Sequence, residues 1–150
     1  ILSCTCASLI YLYEQSSALL IVLLSTVCSV DTLAYFGGKS KGRRKFVSSI
    51  SPRKTWEGVW FGVVGGSVVS LVSGYFLLSF DIPILLCLTF ATVFFAIVGD
   101  LLESLFKRMA NLKDSGNLLP GHGGVLDRVD SLLAGAPVFA GITILAGVYE

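Results

Sequence analysis

The chain has 150 residues, of which 54% are hydrophobic and 14% charged, and its mean hydropathy is +0.82. Soluble domains carry about 25% charged and about 45–50% apolar residues, so this composition excludes an ordinary water-soluble domain and asks for lipid as solvent. The formal net charge of +1 argues against a nucleic-acid partner, but that average conceals regions of opposite character.

Crossing about 30 Å of hydrocarbon takes about 20 apolar residues at 1.5 Å each. Residues 1–13 are apolar but too short, and without an initiator Met or basic flank they read as a truncated span rather than a signal peptide. Residues 16–36, 58–80, 82–99 and 131–149 are each long enough, or nearly so. Within 58–80, Gly58, Gly62, Gly66, Ser70 and Gly74 recur at every fourth position, a small-residue face that admits another helix closely. Asp81-Ile82-Pro83 predicts a tight turn, with Asp81 capping the following helix. Cys4, Cys6, Cys28 and Cys87 lie in apolar segments without zinc-ligand spacing and are expected as small buried hydrophobes. Trp56 and Trp60, at a junction of loop and span, suit interfacial anchoring. The fold class is therefore all-α: a polytopic transmembrane helix bundle of four full spans plus a truncated first one, with cytoplasmic loops and short helices. Residues 1–150 are expected to form one transmembrane domain, the C-terminal catalytic part of a longer chain.

All eleven cations fall in two stretches. Residues 37–57 hold Lys39, Lys41, Arg43, Arg44, Lys45, Arg53 and Lys54 against Glu57 alone. Residues 100–130 hold Lys107, Arg108, Lys113 and Arg128 among Asp100, Glu103, Asp114, Asp127 and Asp130. Confining Lys and Arg to alternate connections follows the positive-inside rule, which puts both stretches on the cytoplasmic face of a multi-pass membrane protein.

In the first stretch, Asp31 lies near the end of a span, where an ionised carboxylate needs a cation or water. The run Lys39–Lys45 is read as well by a functional role as by a plain topology signal or anionic-lipid patch. Ser51-Pro52-Arg53-Lys54-Thr55 interleaves hydroxyls and cations on a Pro- and Gly-bounded turn, a pattern suited to holding phosphate. In the second stretch, Asp100, Glu103 and Lys107 share a helix face at i, i+3 and i+7, as Asp127 and Asp130 do at i and i+3. Two helix ends with facing carboxylates suit a hard cation that keeps positions open for substrate phosphates. Lys107, Arg108, Lys113 and Arg128 would neutralise a polyphosphate, although Lys107 and Arg108 also have the plainer reading of snorkelling cations and Asp130 that of a simple partner for Arg128. His122, between Gly121 and Gly123-Gly124, sits on backbone able to approach an anion closely.

From Ser104 to Asp130 the chain resembles the signature of the phosphatidate cytidylyltransferases (CDP-diacylglycerol synthases), S-x-φ-K-R-x4-K-D-x-small-x2-φ-P-x-H-G-G-φ-x-D-R-φ-D, where φ is apolar. Asp31-Thr32-x-Ala34-Tyr35 and Ile50-Ser51-Pro52-Arg53-Lys54-Thr55-Trp56-Glu57-Gly58 resemble a second segment of that family, with Arg53 where Lys is frequent. The resemblance implies an integral membrane enzyme that joins CTP to phosphatidate with Mg²⁺, a second cation and a homodimer being left open, and the style of the spans suggests a bacterial inner membrane. Its catalytic candidates are Asp100, Asp127, Lys107 and Lys113, with Asp100 and Asp127 as metal ligands. Its substrate contacts would be Asp31, Ser51, Arg53, Lys54, Arg108, His122, Gly123, Gly124, Arg128 and Asp130. The rival from another class is a transporter or channel whose intramembrane carboxylates mark an ion path. A CDP-alcohol phosphotransferase would need a D-G-x2-A-R motif that the chain lacks, and a purely structural subunit is the third alternative.

Overall fold

The computed structural model describes residues 1–47, 51–110 and 126–147, and for residues 52, 53 and 126–128 the backbone path alone. In order, the described elements are α1 (Leu2–Gln15), α2 (Ser17–Lys41), β1 (Lys45–Val47), β2 (Ser51–Thr55), α3 (Trp56–Leu77), α4 (Ile82–Met109) and α5 (Leu126–Ala146). Four helices are long and apolar enough to cross a membrane: Ser17–Lys41, Trp56–Leu77, Ile82–Met109 and Val129–Ala146. The all-α, polytopic class expected from composition is the class observed. With 14 residues, α1 rises about 21 Å, short of the hydrocarbon thickness.

The helices pair as α2 with α3 and α4 with α5, and α1 lies against α5. Leu12, Leu19, Val22, Leu23, Leu88 and Phe139 fill the centre with no exposed surface. The small-residue face of α3 does what its spacing predicts. Gly58, Gly62, Gly66, Ser70 and Gly74 are all buried. A Cβ on Gly62 would stand 2.9 Å from the carbonyl oxygen of Val30, so α2 and α3 meet backbone to backbone. Further along, Ser70 and Thr89 share a 2.9 Å hydroxyl hydrogen bond between α3 and α4.

The structure corrects four local expectations. The first polar stretch does not begin as a loop at Gly37, because α2 continues to Lys41. Gly37 and Gly38 serve close approach rather than helix termination: a Cβ on Gly37 would meet Phe61 Cβ at 2.5 Å and its ring carbons at 2.6–2.8 Å, and one on Gly38 would meet Thr55 Oγ1 at 3.0 Å. The connection that follows is an antiparallel hairpin, with Lys45 opposite Thr55 and Val47 opposite Ser51. Asp81 occupies the N-cap of α4 without a side-chain capping bond, and its carbonyl alone serves the first turn, accepting from Leu85 N at 3.0 Å. The four cysteines are exposed on the bundle surface rather than buried. An apolar side chain gains little by leaving lipid for a helix interface, so hydropathy does not distinguish the two positions.

Candidate active site

A cavity of about 570 Å³ opens where the polar ends of α2, α3, α4 and α5 converge with the hairpin. The two polar stretches therefore share one end of the bundle, as their charge placement predicts. From α2 come Asp31, Tyr35 and Lys39, spaced i, i+4 and i+8 and so stacked along one helix face. Lys39 Nζ lies 5.8 Å from the centre of the Tyr35 ring. Asp31 is the fifteenth residue of a 25-residue helix rather than a terminal one. It stands about 21 Å along the axis from the start of α2, so the cavity reaches into the helix well short of its polar end at Lys41.

The hairpin contributes Ser51 and Lys54. It is held in place at its base. Thr55 caps α3 by accepting from Gly58 N at 3.2 Å, Trp56 N donates to Arg44 O at 3.0 Å, and both Glu57 carboxylate oxygens accept from Arg44 N at 3.3 Å. Phe46 meets the Trp56 ring edge-on with centroids 4.5 Å apart. Fixed this way, β2 presents Lys54 to Asp100 on α4 in a partly buried ion pair of 2.5 Å.

Gly99 brings α5 to the same point. A Cβ there would lie 2.7 Å from the Asp130 carbonyl oxygen and 2.9 Å from Ala134 Cβ, an approach open only to glycine. As a result the Asp100 and Asp130 side chains come within interaction range of each other and of Asp31. Ser131, 1% exposed, donates its hydroxyl to Asp31 Oδ1 at 2.8 Å, while its backbone N–H donates to Asp130 Oδ1 at 2.8 Å.

Three carboxylates thus line a cavity whose described cationic lining is Lys39 and Lys54. Two unit charges of like sign 4 Å apart repel by about 4 kcal/mol at an effective dielectric of 20, so the arrangement favours a cation among them. Among the described residues no cluster of three or more His, Cys, Asp or Glu could hold a metal ion unaided.

Residues 2–145 match the Cytidylyltransferase family. The chain belongs to that family. It is 45% identical to a phosphatidate cytidylyltransferase of Pseudomonas aeruginosa over 137 residues, which cover 90% of this chain and 51% of the relative. A phosphatidate cytidylyltransferase of Rickettsia typhi is 41% identical over 91% of this chain and 64% of its own length. Phosphatidate cytidylyltransferase 4, a chloroplast protein of Arabidopsis thaliana, is 45% identical over 75% of this chain and 29% of its own length. The chain spans roughly half the length of the bacterial relatives it matches.

Of the residues expected at a family site, the cavity gathers Asp31, Ser51, Lys54, Asp100 and Asp130. Lys107 pairs instead with Glu103 one turn away, at 2.5 Å, and Arg108 is exposed beside it on the end of α4. Lys113, His122, Gly123 and Gly124, and the side chains of Arg53, Asp127 and Arg128, lie outside the described residues. The expected pairing of Asp100 with Asp127 therefore has no described geometry, and the acid found near Asp100 is Asp130. Sequence reasoning missed two residues of the site. Lys39 was grouped with a topology run, yet its spacing of eight from Asp31 carried the signal once α2 is helical throughout. Ser131 had no signal beyond its place after Asp130.

Proposed function

We propose that this chain is the catalytic portion of a membrane nucleotidyltransferase that transfers CMP from CTP to phosphatidate, giving CDP-diacylglycerol and pyrophosphate. The observation that carries the reading is the joining of Asp31, Lys54, Asp100 and Asp130 around one cavity at the polar end of an apolar bundle. The names of the relatives, and the motif running from Ser104 to Asp130, supply the substrates.

In the reaction, a phosphate oxygen of phosphatidate attacks the α-phosphorus of CTP. A new P–O bond forms, the bridging bond between the α- and β-phosphates breaks, and pyrophosphate leaves with that electron pair. No general base is required, because a phosphate monoester with a second pKa near 6 is already anionic at neutral pH. The work of the protein is to bring two anions together and hold them in line. Lys54 and Lys39, with Arg53, Lys113, His122 and Arg128 of the motifs, offset the phosphate charge, and the glycines beside His122 let backbone N–H groups approach it. Asp100, with Asp130 or Asp31 and with Asp127 of the motif, would hold Mg²⁺. When bound, the ion supplies charge neutralisation at the phosphate oxygens. Ser51, on the cavity wall, would donate a hydrogen bond to a phosphate oxygen.

The depth of Asp31 lets the lipid phosphate be reached while the acyl chains stay in hydrocarbon, and the cations at this end favour a cytoplasmic orientation, where CTP is found. An ion path would need carboxylates spread through the bilayer. Here Asp31, Asp100 and Asp130 gather at one end around one cavity, which favours chemistry over conduction.

The test is the full-length protein in detergent with labelled CTP, phosphatidate and Mg²⁺. Labelled CDP-lipid and an equal amount of pyrophosphate are expected. No product with both substrates and the metal present would overturn the reading, and ion flux in proteoliposomes would favour the transporter.

A further inference from the structure

The cavity is built from two halves. Asp31 and Lys39 sit on α2, while Asp100 and Asp130 sit on α4 and α5. Among the described residues, two side-chain contacts tie the halves together at the carboxylates: the ion pair of Lys54 with Asp100, and the bond from Ser131 to Asp31 across 100 residues of sequence. Lys54 is itself a substrate-contact candidate and is free to re-pair when phosphate arrives. Ser131 is different. It is 1% exposed, so it is withdrawn from the cavity surface and has no room to meet a ligand.

A serine hydroxyl has one proton to donate, and here it goes to Asp31 Oδ1 at 2.8 Å. Asp31 itself lines the cavity, so the bond fixes one oxygen of a carboxylate on the cavity wall. Without that donor, the carboxylate would keep only its charge attraction to Lys54, and repulsion from Asp100 would turn it away from the acids. The Ser131 backbone N–H meanwhile holds Asp130 Oδ1 at 2.8 Å, so one residue orients an acid on each side of the seam.

We infer that Ser131 is a positioning residue that aims the Asp31 carboxylate at the cation- and phosphate-binding space shared with Asp100 and Asp130. The inference rests on the proposed function for the identity of the reaction, but the coupling of Ser131 to Asp31 is measurable without it.

The experiment uses the full-length protein as wild type, Ser131→Ala, Ser131→Thr, Asp31→Asn and the double variant Ser131→Ala/Asp31→Asn. Mn²⁺, standing in for Mg²⁺, is titrated without nucleotide and followed by electron paramagnetic resonance; CDP-lipid formation is measured separately. Ser131→Ala is expected to weaken Mn²⁺ binding about tenfold and to lower kcat more than it raises the KM for phosphatidate. Ser131→Thr, which keeps the hydroxyl, should recover most of both. In the Asp31→Asn background, removing the hydroxyl should change Mn²⁺ affinity less than about twofold. If Ser131→Ala does not fold, Ser131→Cys replaces it, since a thiol keeps the volume and weakens the donor.

Fully additive effects of the two substitutions would overturn the inference, as would unchanged Mn²⁺ affinity in a folded Ser131→Ala or Ser131→Cys protein. Loss of CDP-lipid synthesis in the wild type with the Mn²⁺ coupling intact would remove the proposed function and leave this role for Ser131 standing.

Discussion

The α2–α3 pair and the α4–α5 pair reach close contact by different means and give the site different chemistry. Along α3, small residues repeated every fourth position seat the helix first on α2, where Gly58, Gly62 and Gly66 would each clash if they carried a Cβ, and then on α4, where Ser70 and Gly74 meet Thr89 and Leu85. On α4 the approach to α5 at the polar end depends on Gly99. The first pair, with its hairpin, brings the cations Lys39 and Lys54 and a single acid, whereas the second brings Asp100 and Asp130. A continuous stripe makes a rigid base for the cationic half. A glycine placed beside an aspartate sets one distance, that between two carboxylates. The difference teaches that a glycine matters to the site by where it lies: Gly58, Gly62 and Gly99 are at the cavity end, Gly74 is at the other end, and substitutions can tell the two ends apart.

The largest effect is expected from Asp100→Asn, which keeps shape and removes the charge shared by Lys54 and the cation site. Turnover should fall at least about 100-fold, roughly 2.7 kcal/mol of transition-state stabilisation, while thermal unfolding in detergent stays near wild type. Activity that persists across a Mg²⁺ titration would separate Asp100 from the chemistry.

Gly99→Val comes next. Its Cβ must push the Asp130 carbonyl away from 2.7 Å, so stability should drop by about 1–3 kcal/mol and rate by tens-fold as Asp130 leaves Asp100. The matched control is Gly74→Val at the opposite end, where the neighbour is the flexible tip of Leu85. There the unfolding temperature should fall slightly and the rate per folded molecule should hold. Equal rate losses at both positions would erase the contrast between the halves.

Lys54→Ala removes one charge-assisted contact of roughly 1.5 kcal/mol, so about a tenfold loss in kcat/KM for CTP is expected in steady-state kinetics. The smallest effect separates neighbours on α2. Lys39 lines the cavity, while Lys41 lies 5.6 Å over the Phe61 ring. Lys39→Ala should raise a substrate KM about threefold, a size suited to an exposed cation, and Lys41→Ala should leave it within error. Identical kinetics for the two variants would return Lys39 to the role of a topology signal.

Much of this architecture was legible in the residues. Hydropathy located the four spans, the fourfold spacing of small residues located the face of α3 that packs, and the placement of cations put both polar stretches at one end. Where reading failed, side chains had two equivalent uses. Gly37 and Gly38 can end a helix or admit a neighbour, and only the presence of Phe61 and Thr55 against them selects the second. Cysteine is equally at home in lipid and in a helix interface, so its exposure depended on which way each helix was turned.

The sequence by itself determined that this is a polytopic membrane protein of the cytidylyltransferase family, because composition, spacing and motif are properties of the chain alone. Only the tertiary structure decided that Asp130 lies beside Asp100, that Lys39 joins the cavity wall and that a buried Ser131 holds Asp31. Those facts rest on which helix each small residue meets and on the distance at that crossing, and residues far apart in the chain set both, so no local pattern names the partner.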